Sequence, residues 1–471
     1  MGKVPIFVDR VDLVDSLRRM DSVDSVDNIS KDNPLSTKST PSMTQPRPMT
    51  PARQYLFDLT LHGIKLGLEN IQALVHAAGD PHLAVPTVHV GGTNGKGSVC
   101  AMTAAMLRAA GYRVGRFTSP HLIDVSERFL VDGEPIPEAA LEENIAFFQR
   151  VAETMSGTPT FFEMTTAIAF RYFAQAQVDV AVIEVGMGGR FDSTNVVAPV
   201  ATAITNIDLE HTAFLGDTLA KIAFEKAGII KPGVPCVTAE TRPEAFDVFT
   251  CRAAEESAPL LQLGRDFHAE TSGSPWAQRL RFSSADLRLE EVPLALPGRY
   301  QGENAAVAAA LASQLMGAFP LLNAAHIAKG LATASWPCRL ERVLDTPPVY
   351  IDVAHNGAGA RKLAELFEDC VVVFAASSDK DRNEMLAALQ PIARHLILTE
   401  FDGKRSTPAA ELAALLEPGT FEIKTPLSEA IKRGLELATP ACPLLITGSI
   451  YAAGEAREYL IRQHSAKPLR F

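Results

Sequence analysis

The chain of 471 residues is predicted to be an α/β protein with a mostly parallel sheet, followed by a smaller, Rossmann-like α/β domain. Short, continuously apolar runs alternate with helical patterns, which is typical of strands covered on both faces. A glycine-rich turn joins the first of these strands to a helix, and the alternation starts again after Pro337. The expected domains are a disordered extension over residues 1–50, a large domain over 51–336 and a smaller domain over 337–471.

The first 50 residues differ in composition from the rest of the chain. They repeat a Val-Asp theme and pass into a tract rich in Ser, Thr and Pro, which cannot bury enough apolar surface to order itself. We therefore expect a disordered extension. The sequence leaves open whether translation starts at Met1, Met43 or Met49.

The elements of the larger domain follow from periodicity and from helix-breaking residues. Apolar runs predict strands at 86–90, 112–119, 178–186 and 198–207, and helical patterns predict helices at 99–111, 137–155, 165–177 and 219–233. The alanine-rich stretch 305–322 carries Ser313, Gln314 and Pro320, so it predicts a buried helix rather than a membrane span.

The smaller domain repeats the alternation with its own set of elements. Strands are predicted at 349–355, 371–377, 395–401 and 443–450, with helices between them. The segment 336–341 in front of this set is the expected hinge.

Composition excludes several classes of protein. The formal net charge is −11 and no basic stretch opposes it, which argues against a nucleic-acid partner. The six cysteines are scattered, so neither a disulfide framework nor a Cys-x-x-Cys metal site is indicated. The amino terminus is acidic and polar, unlike a signal peptide. We expect a cytoplasmic monomer without a membrane partner.

The first chemical signal is the segment GGTNGKGS, residues 91–98, between a predicted strand and a predicted helix. Glycines let backbone N–H groups turn towards an anion, and the helix N-terminus adds a favourable dipole. Lys96 would bring a positive charge to the β- and γ-phosphates of ATP. The strict P-loop pattern fails because Gly97 follows the lysine and the hydroxyl comes one place late, so a plain glycine turn is the alternative. The predicted ATP contacts of this P-loop-type ATPase domain are Gly92, Thr93, Asn94, Gly95, Lys96, Gly97 and Ser98.

Two polar residues stand at the ends of neighbouring predicted strands. Glu184 lies near the end of an apolar strand, and His211 follows the next strand along the chain. A buried carboxylate is costly unless it is paired or bound to a metal, and α/β sheets bind ligands at this edge. A carboxylate, an imidazole and a hydroxyl suit Mg²⁺. A structural acid and a structural histidine are the alternatives.

The loop GTNGKGS resembles that of the Mur-type ATP-dependent amide ligases, and in particular that of the folylpolyglutamate and dihydrofolate synthases. The resemblance spans about residues 55–460 and rests on ordered motifs: GTNGKGS, TSPHL at 118–122, EKAGI within 219–233, GENAAVAAA at 302–310, DVAHNGAGA at 352–360 and TGSIY ending at Tyr451. One departure is Cys338, where the family commonly has glycine.

The resemblance implies a metal site. Ser119 of TSPHL would join Glu184 and His211 around a Mg²⁺ between the γ-phosphate and the substrate carboxylate, and Ser98 would serve a Mg²⁺ on the β/γ-phosphates. Lys226 of EKAGI would be carbamylated by CO₂ and help hold the second metal. From the residues alone, this lysine is equally a solvated one.

Substrate contacts are also implied by resemblance. The segments SERFLVDGEPI and FFEMTT are similar to those lining the folate side of the family's pocket, which makes Arg128, Phe162 and Glu163 candidates. An arginine pairs well with a carboxylate, although a surface ion pair would use the same residue type.

Further nucleotide contacts are implied around the hinge and in the smaller domain. Asn304 matches an adenine-contacting asparagine, Arg339 a phosphate-contacting arginine and Tyr451 a nucleotide-side tyrosine. Asp352 and His355 belong to the element that reaches towards the nucleotide and the incoming glutamate.

Together, these features imply ATP- and Mg²⁺-dependent addition of L-glutamate to dihydropteroate, to reduced folates or to both, through an acyl phosphate. Lys96, Lys226 and His355 are the expected catalytic residues. One alternative is a peptidoglycan-precursor ligase acting on a UDP-sugar, which usually carries an N-terminal UDP-binding domain that does not fit the short stretch before the phosphate loop. The other is a nucleotide-dependent switch that hydrolyses ATP without ligation.

Overall fold

The computed structural model describes residues 49–63, 65, 67–464, 466 and 471. The predicted disordered extension therefore lies almost wholly outside the described residues. Within them, the first sheet has eight strands: β1 Thr87–Gly91, β2 Val114–Phe117, β3 Phe129–Val131, β4 Glu134–Pro135, β5 Val180–Glu184, β6 Pro199–Ile204, β7 Cys236–Thr238 and β8 Leu260–Gln262. Their helices are α1 Pro51–Asp58, α2 Glu69–Ala77, α3 Lys96–Ala109, α4 Glu138–Ala152, α5 Phe161–Gln175, α6 Thr212–Leu215, α7 Leu219–Ala227 and α8 Pro243–Glu255.

The first sheet is parallel except at one edge. Its strand order is β4-β3-β2-β5-β1-β6-β7-β8, and only the β2–β3 and β3–β4 pairs are antiparallel. Every residue of β1 and β5 is buried, which explains why these strands read as unbroken apolar runs. The register pairs Val90 with Glu184, so that carboxylate lies beside the loop that follows β1.

Helices cover both faces of this sheet, as the alternating pattern predicts. The helices α9 Gln301–Leu315 and α10 Ala324–Thr333 pack with α3 on one face, where small side chains allow close approach. A Cβ added at Gly330 would lie 2.5 Å from the Met106 Cα, so α10 can approach α3 this closely only with glycine at that position. The other face is covered by α1, α2, α4 and α5 around Ile71, Ile145 and Phe148.

A second, antiparallel sheet was not predicted from the sequence. It consists of β9 His268–Ser274, β10 Ala277–Ser283 and β11 Arg288–Pro293, in the order β11-β10-β9. Residues along β10 alternate strictly between exposed and buried, so the sequence carried a usable period-two signal there. Leu280 and Phe282 point from this strand into the core shared with α9 and α10.

The remaining strands form a third sheet. It is made of β12 Glu341–Asp345, β13 Pro348–Ile351, β14 Cys370–Phe374, β15 Ala393–Leu398, β16 Glu422–Ile423 and β17 Leu444–Thr447, in the order β12-β13-β17-β14-β15-β16. Only the β12–β13 pair is antiparallel. The surrounding helices are α11 Gly357–Ala364, α12 Arg382–Leu389, α13 Ala409–Ala413, α14 Leu427–Leu437 and α15 Ile450–His464.

The α/β fold predicted from the sequence is thus confirmed, with the antiparallel sheet as an addition. The described residues form one compact unit, so the predicted domain boundary between residues 336 and 337 stays a prediction. No helix among the described residues is long and apolar enough to cross a lipid bilayer.

Candidate active site

The loop between β1 and α3 is packed so tightly that it requires glycine. Gly92 has a φ of 128°, and a Cβ there would lie 1.9 Å from the Thr205 Oγ1. Gly95 has a φ of 86°, and its Cβ would lie 2.1 Å from the Asn304 Oδ1. The loop therefore presses on the end of β6 and the start of α9, and the structure brings the predicted adenine contact, Asn304, against it.

Hydrogen bonds fix the first half of the loop and leave the second half for a ligand. The backbone N–H of Thr93 donates to the Asn206 backbone oxygen at 2.8 Å, and the N–H of Asn94 donates to the Asn206 Oδ1 at 2.9 Å. The first N–H groups of α3, from Lys96 to Ser98, have no acceptor within the helix. They form the anion-binding end of the loop.

The lysine of the loop is folded back onto it. The Lys96 Nζ donates to the backbone oxygens of Gly92 at 2.9 Å and Thr93 at 3.0 Å. A phosphate oxygen would replace these carbonyl oxygens as the acceptor, because an ammonium group binds a charged acceptor more strongly than a neutral carbonyl.

Ser98 is linked to the adenine-side asparagine through one intermediate residue. The Gln301 Nε2 donates to the Ser98 Oγ at 3.2 Å, and the Asn304 Nδ2 donates to the Gln301 Oε1 at 2.8 Å. The starts of α3 and α9 are thereby joined by side chains.

Glu184 is a buried carboxylate at the loop's side. Its side chain is almost fully enclosed, and its Oε2 accepts from the backbone N–H of Ser119 at 3.1 Å. Burial raises the pKa of Glu184, while the nearby charges of Lys96, Arg339 and Arg116 oppose that rise. Two of the predicted metal ligands, Glu184 and Ser119, therefore lie together.

Lys226 is a buried lysine that contacts the phosphate loop. Its Nζ donates to the Gly92 backbone oxygen at 2.9 Å and to the Glu210 Oε1 at 2.6 Å. Burial lowers the pKa of Lys226 to about 8, against the opposing effect of Glu210. Burial would raise the pKa of Glu210, but Lys96 and Lys226 hold it at about 2. The solvated lysine considered from the sequence is excluded by this burial.

His211 differs from the other predicted metal ligands because it is exposed. It adopts a left-handed backbone with a φ of 46° in front of the short helix α6. Burial of part of the ring lowers its pKa; Glu210 opposes this change and Lys380 adds to it.

The predicted residues of the third sheet lie at the ends of its strands. The Asp352 carboxylate accepts from the backbone N–H groups of Leu340 at 2.8 Å and Ala354 at 2.7 Å, so it ties the linker to β13. The His355 Nδ1 bonds to the Val353 backbone oxygen at 2.9 Å. Because a carbonyl only accepts, this nitrogen carries the proton, and Nε2 of the neutral ring is left as an acceptor. Burial lowers the pKa of His355, which favours that neutral form.

Tyr451 lies at the start of α15. Its ring stacks on Phe401 with centroids 5.5 Å apart, and its hydroxyl accepts from the Arg405 Nη1 at 3.0 Å. Its predicted nucleotide contact stays a prediction.

The three folate-side candidates have different surroundings. The Arg128 Nε donates to the His121 Nδ1 at 2.9 Å, and its guanidinium lies 5.1 Å from the Phe161 ring. Phe162 lies against the turn after β5, since a Cβ at Gly186 would be 2.4 Å from its Cζ.

Glu163, the third of these candidates, is a buried helix cap. Its carboxylate accepts from the backbone N–H of Thr160 at 2.7 Å and from the Asn70 Nδ2 at 3.2 Å, and Thr160 completes a capping box. This side chain is engaged in starting α5, so the structure supplies a structural role for it. Its predicted substrate contact stays a prediction.

Comparison with known proteins identifies the family. Residues 90–312 match the Mur ligase middle domain, and residues 338–450 match the glutamate ligase domain of Mur ligases. The dihydrofolate synthase/folylpolyglutamate synthase of Bacillus subtilis is 38% identical over 428 residues, which cover 87% of this chain and 98% of that protein. The chain belongs to this family of ligases. The folylpolyglutamate synthase of Lacticaseibacillus casei is 39% identical over 407 residues, covering 83% of this chain and 94% of the relative.

Solved structures of the family agree with the fold. The folylpolyglutamate synthase of Mycobacterium tuberculosis complexed with ADP superposes with a TM-score of 0.81 at 32% identity, covering 89% of this chain and 99% of that one. The E. coli FolC in complex with DHPP and ADP gives a TM-score of 0.80 at 31% identity, covering 89% of this chain and 100% of that one. The resemblance inferred from the motifs is therefore confirmed.

The donor atoms of this ligase suit Mg²⁺ that is bound mainly through phosphate. Among the described residues, no group of three or more His, Cys, Asp or Glu side chains is arranged to hold a metal ion by itself. Mg²⁺ needs only one or two protein oxygens when phosphate and water supply the rest. The Glu184 carboxylate and the Ser98 and Ser119 hydroxyls provide such oxygens, and the magnesium-ligand roles of these residues and of His211 stay predictions.

The backbone of the predicted hinge shows why glycine is common at the position of Cys338. Cys338 has a φ of 55°, in the left-handed region that glycine adopts without strain. The cysteine holds this conformation within a fully enclosed site, where its N–H donates to the Glu341 Oε2 at 3.0 Å.

Sequence analysis missed three polar groups at the site. Glu210, next to His211, pairs with Lys226, and Gln301 joins Ser98 to α9. The third is His89, which is fully buried on β1 and bonds through its Nε2 to the Thr194 Oγ1 at 2.8 Å. Glu210 and Gln301 each stand within three residues of a predicted site residue, whereas nothing local in the sequence marks His89.

Proposed function

We propose that this protein is an ATP-dependent ligase that adds L-glutamate to dihydropteroate and to reduced folates through an acyl phosphate. The observation that carries the proposal is the buried Glu184 carboxylate, which accepts from the Ser119 N–H and lines one cavity together with Arg339 and with Gly97 of the phosphate loop. A switch that only hydrolyses ATP would have no use for a neutral His355 whose Nε2 is left as a proton acceptor.

The nucleotide is held by the loop and the hinge. The N–H groups at the start of α3 bind the phosphates, and Lys96 leaves the carbonyls of its own loop to neutralise them. Asn304, held beside Gly95, faces the adenine. Arg339 adds charge compensation, and Asp352 keeps the linker in place for it. When bound, Mg²⁺ supplies electrophilic assistance at the phosphates, with Ser98, Ser119, Glu184 and His211 as the residues that would hold it.

The reaction proceeds in two steps. A carboxylate oxygen of the folate-side substrate attacks the γ-phosphorus of ATP, and ADP leaves. The amine of L-glutamate then attacks the acyl carbon, and phosphate leaves as the amide forms. Catalysis consists mainly of positioning and of charge stabilisation. The neutral Nε2 of His355 accepts a proton from the glutamate amine, since Nδ1 is fixed as the donor to Val353.

Substrate binding and the modified lysine complete the site. Phe162 lies beside the turn that follows Glu184, and Arg128 lies against the neighbouring Phe161 ring. Both bind the folate side, and Glu163 fixes the helix that carries Phe162. Lys226 is carbamylated, which turns a buried cation into an anion that can bind metal. The lowered pKa supports this, because CO₂ reacts with the neutral amine.

The organisation of the chain follows the same scheme. Residues 51–336 form the ATP-binding domain and residues 337–471 the glutamate-ligase domain, with the cleft between them and Tyr451 on its nucleotide side. The net charge of −11 supports an enzyme of small-molecule substrates without a nucleic-acid or membrane partner. We propose that it acts as a cytoplasmic monomer.

Phosphate release from Mg-ATP and L-glutamate tests the proposal, with dihydropteroate in one reaction and tetrahydrofolate in another. Mass spectrometry should show each pterin gaining one glutamyl residue per phosphate released. Glu184→Gln should abolish both reactions. Glu255→Gln, an exposed acid on α8 paired with Arg252, should leave them unchanged. Phosphate release that does not depend on either pterin would refute the ligase assignment.

A further inference from the structure

Arg116 is a buried cation whose guanidinium forms no hydrogen bond or ion pair with any residue that the structure describes. It lies within β2, where it is paired with Leu130 on one side and Val182 on the other. Its side chain is 4% exposed, and the Nη2 has no hydrogen-bond partner among the described residues. No described carboxylate forms an ion pair with it. A charge in such surroundings is unfavourable, and burial lowers the pKa of Arg116 to about 10.

The contact that Arg116 does make is with an aromatic ring of the hinge. Its guanidinium lies 4.8 Å from the centre of the Trp336 ring, and a more distant contact of 5.9 Å joins it to the ring of Phe471. Attraction between a cation and an indole face is strongest where water is excluded, as it is here. Among the described residues, the guanidinium is thus in direct contact with a π-face, and Glu184 acts on it only as a charge that forms no ion pair.

The same indole ring presses on the phosphate loop. A Cβ added at Gly97 would lie 2.7 Å from the Trp336 Cζ2, so the ring touches the first turn of α3. Trp336 also begins the turn that carries the phosphate-contacting arginine, since the N–H of Arg339 donates to the Trp336 backbone oxygen at 3.4 Å. Moving the indole would therefore move Arg339 relative to the loop.

We infer that Arg116 is a positioning residue, which clamps Trp336 against the phosphate-loop helix and so aligns Arg339 with the bound nucleotide. The Arg116 Cζ lies over the indole, so we assign its effect to the position of Trp336 and not to a substrate contact. The inference rests on the proposed function only in that Arg339 contacts a phosphate of ATP. It explains why a cation remains at a position where an apolar side chain would be more stable.

Tryptophan fluorescence tests this directly, because the chain has two tryptophans, Trp276 and Trp336. In a Trp276→Phe background, emission and acrylamide quenching report on the hinge residue alone. Arg116→Met keeps the length of the side chain and removes its charge. We expect quenching to increase about twofold and the KM for ATP to rise about tenfold, the size of a lost desolvated cation–π contact. The thermal midpoint should not fall. Arg116→Lys should stay closer to wild type in both measurements.

A second variant guards against misfolding. Trp336→Leu should raise the KM for ATP as Arg116→Met does, and the double variant should be no worse than either single one. Unchanged quenching and unchanged KM in a folded Arg116→Met protein would overturn the inference, as would strictly additive effects of the two substitutions. Acrylamide quenching and the affinity for ADP measured by calorimetry can be determined without folate or glutamate. They therefore test the role of Arg116 even if the ligase assignment fails.

Discussion

The buried lysine of α7 should make the enzyme dependent on CO₂. Burial lowers the pKa of Lys226 from 10.5 to about 8. At pH 7.5 the neutral fraction of the amine is then about one quarter, against about one thousandth for an ordinary lysine. Since only the neutral amine reacts with CO₂, the site gains a factor of about 200 in reactive amine. Activity that depends on CO₂ should therefore fall as the pH drops below 8 at fixed CO₂ pressure.

The partner of this lysine links the modification to the metal. Lys226 donates to Glu210 at 2.6 Å, and a carbamate at that nitrogen would face the carboxylate as a like charge. The two anions become compatible when Mg²⁺ lies nearby, so Mg-ADP should raise the carbamate fraction. In the Glu210→Gln variant, carbamate formation at Lys226 should no longer depend on Mg²⁺, because the repulsion between the two anions is removed.

The assay compares enzyme in CO₂-free buffer with enzyme equilibrated with ¹³CO₂. We expect turnover to fall about 10- to 100-fold without CO₂, as for the loss of a group that supports a metal. A ¹³C carbamate signal should appear with Mg-ADP. Lys226→Met should lose both the signal and the activity. Lys221→Met, which alters an exposed lysine on the same helix, should keep both. Full turnover without CO₂, together with no carbamate signal in the Mg-ADP form, would refute the reasoning.

Three further predictions concern the loop, the buried acid and the buried imidazole. Gly95→Ala should lower the free energy of unfolding by about 1–3 kcal/mol and weaken ADP binding, because its Cβ would meet Asn304 at 2.1 Å. Urea denaturation measures the first effect and calorimetry the second. The control is Gly79→Ala, which is also at positive φ but has open space around it and should lose stability without losing ADP binding. Glu184→Gln should gain stability relative to wild type as the pH rises above 4.5, because an acid with a raised pKa favours the folded state only while it is protonated. Chemical denaturation at several pH values measures this difference in free energy of unfolding. A difference that does not change with pH would contradict burial as the cause of the raised pKa. At pH 6.5 the ¹⁵N spectrum of His355 should show the neutral Nδ1–H tautomer, and a charged ring would exclude it as a proton acceptor.

What could be predicted from the sequence depended on local spacing. The phosphate loop was predictable because glycines at fixed intervals must adopt backbone angles that other residues avoid, as Gly92 and Gly95 do. Glu184 was predictable because the ends of parallel strands meet at one edge of a sheet. For Glu163, the Thr160-x-x-Glu163 spacing is that of a capping box and indicates a role in starting the helix rather than a substrate contact.

What could not be predicted depended on contacts between distant segments. Whether Lys226 is solvated or buried is decided by α7 packing beneath the loop that starts at Gly92. The contact between Arg116 and Trp336 joins residues 220 positions apart in sequence, and no local pattern announces it. The antiparallel sheet was an exception, because exposed and buried residues alternate along β10. This strand could therefore have been predicted from the sequence.

The fastening of the linker has a consequence for the timing of the reaction. Leu340 is bonded to Asp352 and Cys338 to Glu341, which fastens residues 338–341 to the third sheet. The Arg339 N–H is also bonded to the backbone oxygen of Trp336, whose ring contacts α3. Any rotation of the two proposed domains would therefore have to pass through Pro337, whose ring leaves a single backbone angle free to change. Under the proposed function, Arg339 and His355 would then reach the nucleotide together. Phosphate activation and acceptance of the amine proton would be coupled, which would limit hydrolysis of ATP before glutamate binds.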